Sequence, residues 1–170
     1  MLYFSDLLQY SDVFLRGLKT TVELTVLTTI LGVVLGTVCA TVRQYGNLAS
    51  QRVVSVYVEL IRNTPFIVQL FFIFFGLPAI GMRLSPWEAS MIALTINLGA
   101  YSTEIIRAGL SSISKGQIEA AKVLGLTFRQ TLVRVIFTPA FEKIYPALVS
   151  QCIIVMLGSA AEVSPRILYK

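Results

Sequence analysis

Three side chains at helical spacing could do chemistry in this sequence: Asn97, Tyr101 and Glu104, at i, i+4 and i+7. That spacing puts an amide, a phenol and a carboxylate on one face of a helix. Asn97 and Tyr101 stand deep in the apolar run Glu88 to Leu110, where polar groups face a bundle interior or a water-filled path. Two roles fit them: hydrogen bonding between helices, or contact with a solute on such a path. A second constellation is Glu59 and Arg62, spaced i,i+3 and followed by Asn63, Thr64 and Pro65. It reads as an ion pair at the membrane interface or as a gate contact near the cytoplasmic mouth. Histidine is absent, and the two cysteines, Cys39 and Cys152, both sit in apolar runs. Imidazole catalysis, histidine-based metal sites and a disulfide framework are therefore excluded. No cofactor is expected, and each cysteine reads as a small buried hydrophobe.

Composition sets the elements that must position these groups. The chain has 170 residues, 55% hydrophobic and 14% charged, where a soluble domain carries roughly 25% charge. That is too little charge to cover a soluble surface, so the expected class is all-α, a polytopic transmembrane helical bundle surrounded by lipid. The net charge of +5 fits basic cytoplasmic loops. No basic stripe with interleaved aromatics marks a nucleic-acid partner.

In chain order, residues 1–19 are amphipathic and read as an interfacial segment without the features of a signal peptide. Residues 20–42 form the first span, about 34 Å long against a hydrocarbon core of about 30 Å. Its Gly32 and Gly36 make a GxxxG pair that permits close helix approach. Residues 53–80 form the second span, with a kink or membrane entry at Pro65. Residues 88–110, behind the interfacial Trp87, form the third. Residues 144–160 form a fourth, at the low limit of length for a crossing. Together with the polar, basic loop 111–143 they make one transmembrane domain, 1–160, followed by a polar tail, 161–170. Lys and Arg divide nine to five in favour of the side carrying that loop. The loop is therefore placed in the cytoplasm and the N-terminus outside.

Inside the loop, Glu119-Ala120-Ala121, three residues, Gly125, nine residues, then Val135 and Phe137 resembles the EAA loop of ABC-importer permeases. The proline that usually closes that pattern falls one place late, at Pro139. Further stretches resemble the polar amino-acid branch of the same family: Thr20 to Leu24, Glu59 to Pro65, Leu77-Pro78, and Asn97 to Tyr101. The resemblance runs from about Gly17 to Ala160. It implies a type I ABC importer permease fold in a bacterial inner membrane. It also implies a coupling helix that docks on cytoplasmic ABC ATPase subunits. There Ala120 and Ala121 would allow close approach, Glu119 would offer a charge, and Gly125 would make the turn. The other implied partners are a second permease subunit, in a homo- or heterodimer, and an extracytoplasmic solute-binding protein.

No GxxxxGK[ST] occurs, so ATP hydrolysis would belong to a separate subunit and the chain itself is not an enzyme. The solute stays open among polar amino acids and opines. Permeases of this branch usually have five core spans and four are expected here. The alternative reading is therefore a truncated, non-transporting fragment lacking the last one. A channel or secondary transporter would show an inverted repeat or paired ionisable residues in broken helices at the midplane, and no such repeat is visible.

Overall fold

The computed structural model describes residues 11–82 and 84–168. The first helix, α1, is Ser11–Tyr45, 35 residues and about 52 Å long. Several of its threonines bond back to the preceding turn: Thr28 Oγ1 donates to Leu24 O at 2.6 Å and Thr37 Oγ1 to Val33 O at 2.8 Å. Those hydroxyls need no outside partner, which suits a Thr-rich helix in lipid. The segment 1–19, expected to lead into the first span, does so without a break where it is described. Residues 11–19 continue into the span in one helix, with no Pro or Gly strong enough to stop it. Residues 1–10 lie outside the described residues.

Asn47 caps the second helix, α2, Leu48–Asn63, by accepting from Ser50 N at 2.8 Å. It ends where Pro65 forces the preceding Thr64 into extended backbone, φ −109° and ψ 130°. The chain then resumes as α3, Phe66–Phe71, a π turn, Phe72–Gly76, and α4, Leu77–Ala79. The expected span 53–80, with its kink or membrane entry at Pro65, is thus two arms, Leu48–Asn63 and Phe66–Ala79, bent by 110°. Pro65 causes this by removing a backbone donor as well as restricting Thr64.

Helix α5, Pro86–Ser111, opens on a capping box: Ser85 Oγ accepts from Glu88 N, and Glu88 Oε2 accepts from Ser85 N at 2.7 Å. After the loop helix α6, Lys115–Val123, the chain enters α7, Phe128–Gln130. A second π turn, Thr131–Phe137, leads straight into α8, Thr138–Leu168. The fourth span is therefore not short: the stretch fit to cross a membrane is Phe128–Ser159, 32 residues. Pro139 does not break it because the π turn comes just before, with Thr138 N–H bonded to Val133 O. The wider π ring leaves room for the proline ring, and Pro146 is carried further along the same helix without such a turn. The backbone of the expected polar tail is helical as far as Leu168, and Tyr169 and Lys170 lie outside the described residues.

Helix α5 is the centre of the bundle and touches α1, α2, α3, the first π turn and α8. Helices α1 and α5 run parallel, since Gly32 meets Leu98 and Gly36 meets Ser102. Helix α8 runs antiparallel to both: Thr25 Oγ1 lies 3.2 Å from Ser159 Oγ, while Gly109 faces Ile144. Leu24, Leu94, Leu98 and Val155 form one core cluster, and Ile73, Ala89 and Ala93 a second, with Phe66 packed against both. The outer faces are apolar, as with Val22, Val26, Ile30, Val34 and Val38 along α1, the pattern expected of a lipid-facing surface.

By length and apolar composition, two continuous helices and the bent pair are fit to cross a membrane, against the four spans expected. The difference lies in α5. At 26 residues it is long enough, but it carries Ser90, Thr95, Asn97, Ser102, Thr103 and Glu104. Its central position explains that tolerance: ten of its residues are buried by other helices rather than facing lipid.

Gly36 tests the α1–α5 contact. A Cβ there would collide with Ser102 Cβ and lie 3.0 Å from Thr103 N and 3.1 Å from Gly99 O. Backbone atoms cannot swing away, so Gly36→Ala is expected to destabilise by about 1–3 kcal/mol. Gly116→Ala, which meets nothing within 4 Å, should not destabilise. Thermal unfolding of the two variants in detergent checks this, and equal melting would refute the contact.

Candidate functional site

The face of α5 carrying Asn97, Tyr101 and Glu104 meets a different element at each level. Asn97 Nδ2 donates to Gln69 Oε1 on α3 at 3.1 Å. The guanidinium of Arg62, at the end of α2, lies over the Tyr101 ring, 5.5 Å from its centroid, within cation–π range. Glu104 accepts from Arg43 Nη1 near the end of α1, and from Arg107 Nε and Nη2 at 3.2 and 2.9 Å. The three residues therefore form a polar seam in which α5 is tied to three neighbours.

Glu59 and Arg62, spaced for a pair, make no ion pair among the described residues. Arg62 is turned to Tyr101 instead, and Glu59 is exposed. A ring face recessed in the bundle and a carboxylate in the open compete for one guanidinium. A solvated i,i+3 pair is worth only a few tenths of a kcal/mol, so the ring contact prevails.

The seam also holds residues that spacing did not single out. Gln69 is the lone amide in the run Phe66 to Leu77, and that isolation was its signal. Arg43 closes the first apolar run, and its partner Glu104 lies 61 positions away, so only the tertiary contact links them. Tyr57 Oη donates to Ile96 O at 2.6 Å, another long-range bond with no local signature. Arg43 and Glu104 are each 20% exposed at the side chain. One carboxylate shared by two guanidiniums leaves a net positive cluster at the end of the bundle where α1 and α5 both finish.

The loop 111–143 begins at that same end. Ser114 caps α6, accepting from Gln117 N while Gln117 Oε1 accepts from Ser114 N, both at 3.3 Å. Helix α6 stops in a Schellman arrangement: Leu126 N donates to Ala121 O and Gly125 N to Lys122 O, each at 3.0 Å. Gly125 sits at φ +73°, the left-handed conformation that makes glycine the fitting residue. A second capping box, Thr127 with Gln130, starts the next helix at once. The four EAA positions thus fall on one short helix and its glycine cap. Glu119 and Ala120 are exposed, whereas Ala121 is 3% exposed. Helix α6 packs on the π turn Thr131–Phe137, so Ala121 faces the chain's own interior. Of the two alanines expected on an outer contact surface, only Ala120 is there. Around it Val123, Leu124 and Phe128 are 87%, 78% and 81% exposed.

The family model described as "Binding-protein-dependent transport system inner membrane component" matches residues 32–163. The chain belongs to this family. The polar seam and the loop all lie inside the matched range. The chain is 42% identical over 145 residues to the L-cystine transport system permease protein TcyB of Bacillus subtilis, covering 84% of this chain and 62% of that relative. It is 37% identical over 142 residues to the glutamine transport system permease protein GlnP of Escherichia coli, covering 82% of this chain and 65% of that one. The chain thus spans less than two thirds of the length of these relatives. Among solved structures, a crystal structure of an amino acid ABC transporter with histidines aligns at TM-score 0.84 and 37% identity, covering 95% of this chain and 76% of that one. The bundle therefore belongs to an inner membrane component of this transport family.

The Arg43–Glu104 contact yields a measurable coupling. In a double-mutant cycle of Arg43→Gln and Glu104→Gln, an interaction of about 1–3 kcal/mol is expected, because the pair is mostly withdrawn from water. Unfolding of the single and double variants in detergent reads it. Strictly additive effects would show that the pair contributes nothing.

Proposed function

We propose that this chain acts as the permease subunit of an ATP-driven ABC importer that takes up polar amino acids or opine-like derivatives. An extracytoplasmic binding protein delivers the solute, and ABC ATPase subunits on the cytoplasmic side drive the cycle. A second permease subunit, identical or related, completes the membrane part. The chain itself is no enzyme in this reading, since ATP is hydrolysed by the separate subunits. The loop 111–143 faces the cytoplasm and the N-terminus the outside, following the Lys and Arg bias.

The observation that carries the proposal is the build of α6. It is a short helix closed by a capping box and a Schellman glycine, and it rests on the π turn Thr131–Phe137 that leads into α8. Such an element does not bend when pushed; it transmits a displacement to α5 and α8 together. Its exposed Glu119, Ala120, Val123 and Leu124, with Phe128 of α7 beside them, offer a mixed apolar and acidic surface to the ATPase partner. Asn97, Tyr101 and Glu104 line the solute path in this reading. Their present partners, Gln69, Arg62 and Arg43, exchange for the solute or for one another as access alternates. The tentative gate formed by Glu59 and Arg62 becomes a gate formed by Arg62 and Tyr101, with Glu59 at its rim.

Uptake of labelled amino acid into vesicles carrying the chain with its ATPase and binding protein tests this. Glu119→Lys is expected to lower ATP-driven uptake by about tenfold, equivalent to about 1.4 kcal/mol of lost coupling contact, with the amount of chain in the membrane unchanged. Unchanged uptake would sink the coupling assignment, and uptake driven by an ion gradient without ATP would sink the importer class. Separately, Tyr101→Phe should retain transport, since a ring face still meets Arg62, whereas Tyr101→Ala should lose most of it. Equal uptake by these two variants would count against the gate.

A further inference from the structure

The break between α2 and α3 poses a backbone problem that one side chain solves. The last carbonyls of a helix have no donor of their own, and Pro65 supplies none. Within a membrane such groups must find partners inside the protein. Thr64 Oγ1 takes one, donating to Leu60 O at 2.7 Å. Gln69 serves two more: its Nε2 donates to Ile61 O at 2.7 Å, which otherwise has only a long bond of 3.4 Å from Thr64 N, and to Thr64 O at 2.8 Å. Two carbonyl oxygens facing one end of the amide fix its orientation, because only the NH2 group can donate to both. Gln69 Oε1 is therefore left to accept, and it does so from Asn97 Nδ2. Gln69 itself is only 7% exposed.

We infer that Gln69 is the positioning residue of the broken helix, a clamp that closes the open end of α2, holds the bend at Thr64–Pro65 and ties it to α5 through Asn97. Its two ends do separable jobs. The NH2 group joins α3 back to α2 across the break. The carbonyl joins α3 to the polar seam of α5 and fixes which atom Asn97 turns toward it. With both made, the two arms and α5 move as one body. With the Asn97 link open, the bent pair keeps its angle and stays tethered to α5 through Tyr57 and Arg62 of α2 and the packing of Phe66 and Ile73, but the α3 arm loses its hydrogen bond to α5. The Asn97–Gln69 bond is thus a joint at which the α3 arm can loosen against the central helix without unfolding either.

Distance measurement in the full chain tests this without recourse to transport. Cys39→Ala and Cys152→Ala remove the native thiols. Spin labels are then placed at Val56→Cys and Phe72→Cys, both exposed positions on opposite sides of the break, and at Phe72→Cys with Ala108→Cys to report on α3 against α5. In lipid nanodiscs the parent should give one narrow distance for each pair. Gln69→Glu keeps the shape and loses the donor, and Gln69→Met keeps the bulk and loses both polar ends. Either should raise the population outside the narrow Val56–Phe72 peak by about tenfold. Asn97→Ala should leave that peak narrow and broaden only the Phe72–Ala108 pair. A narrow Val56–Phe72 peak in Gln69→Met would show that bulk, not hydrogen bonding, holds the bend. Equal broadening of both pairs in Asn97→Ala would show that the two ends are not separable. Either result overturns the inference.

Discussion

How closely the backbones of α1 and α5 approach decides where everything else in this bundle can stand. At Gly36 there is no room for even a methyl group, because Ser102 and the α5 backbone occupy it. At Gly32 the side chain of Leu98 lies against the bare Cα, within 2.9 Å of where a Cβ would be. In lipid, where apolar contact with another helix is no better than contact with acyl chains, such close approach is what makes two helices associate. It also sets the register. With Gly36 against Ser102, the C-terminal ends of α1 and α5 come together, the long Arg43 side chain about two turns past Gly36 reaches Glu104, and the charged cluster follows from a contact between a glycine and small residues.

The second constraint is that no backbone polar group can be left open in the hydrocarbon. The chain breaks helical geometry at three places, and each has a local answer. At Thr64–Pro65 a threonine hydroxyl and the Gln69 amide satisfy the exposed carbonyls. Before Pro78 and before Pro139 the helix widens into a π turn and continues. A proline is therefore read differently by the fold according to what precedes it. After a residue that can go extended, as at Thr64, it ends the helix. After a π turn, as at Pro139, or inside the long helix, as at Pro146, it is absorbed, and α8 runs on for 31 residues.

These two constraints converge on α5. It is the helix every other arm leans on, and its polar row faces those arms rather than lipid. The loop that follows inherits its rigidity from capping at both ends and from packing on the π turn that leads into α8. Ala121 serves that internal packing, while Glu119 and Ala120 stay outside. The loop thus has an inner side that belongs to the bundle and an outer side that is free to meet a partner.

Much of this was legible in the residues alone. Low charge and long apolar runs determine a helical membrane bundle, because lipid leaves the chain few alternatives. The GxxxG pair, the i, i+4, i+7 row on α5 and the Glu-Ala-Ala…Gly pattern are local, and local spacing is what a helix reads directly. Capping by Ser85, Ser114 and Thr127 is equally local. What only the tertiary structure decided is which partner each polar group takes. Arg62 meets Tyr101 rather than Glu59, Arg43 meets Glu104 across 61 positions, and Gln69 meets Asn97 across 28. The tertiary structure also decided that Pro65 divides a helix while Pro139 does not. The physical reason is the same in each case. A polar group withdrawn from water bonds to whatever the packing brings within reach, and that packing is set by glycine contacts far away in the chain.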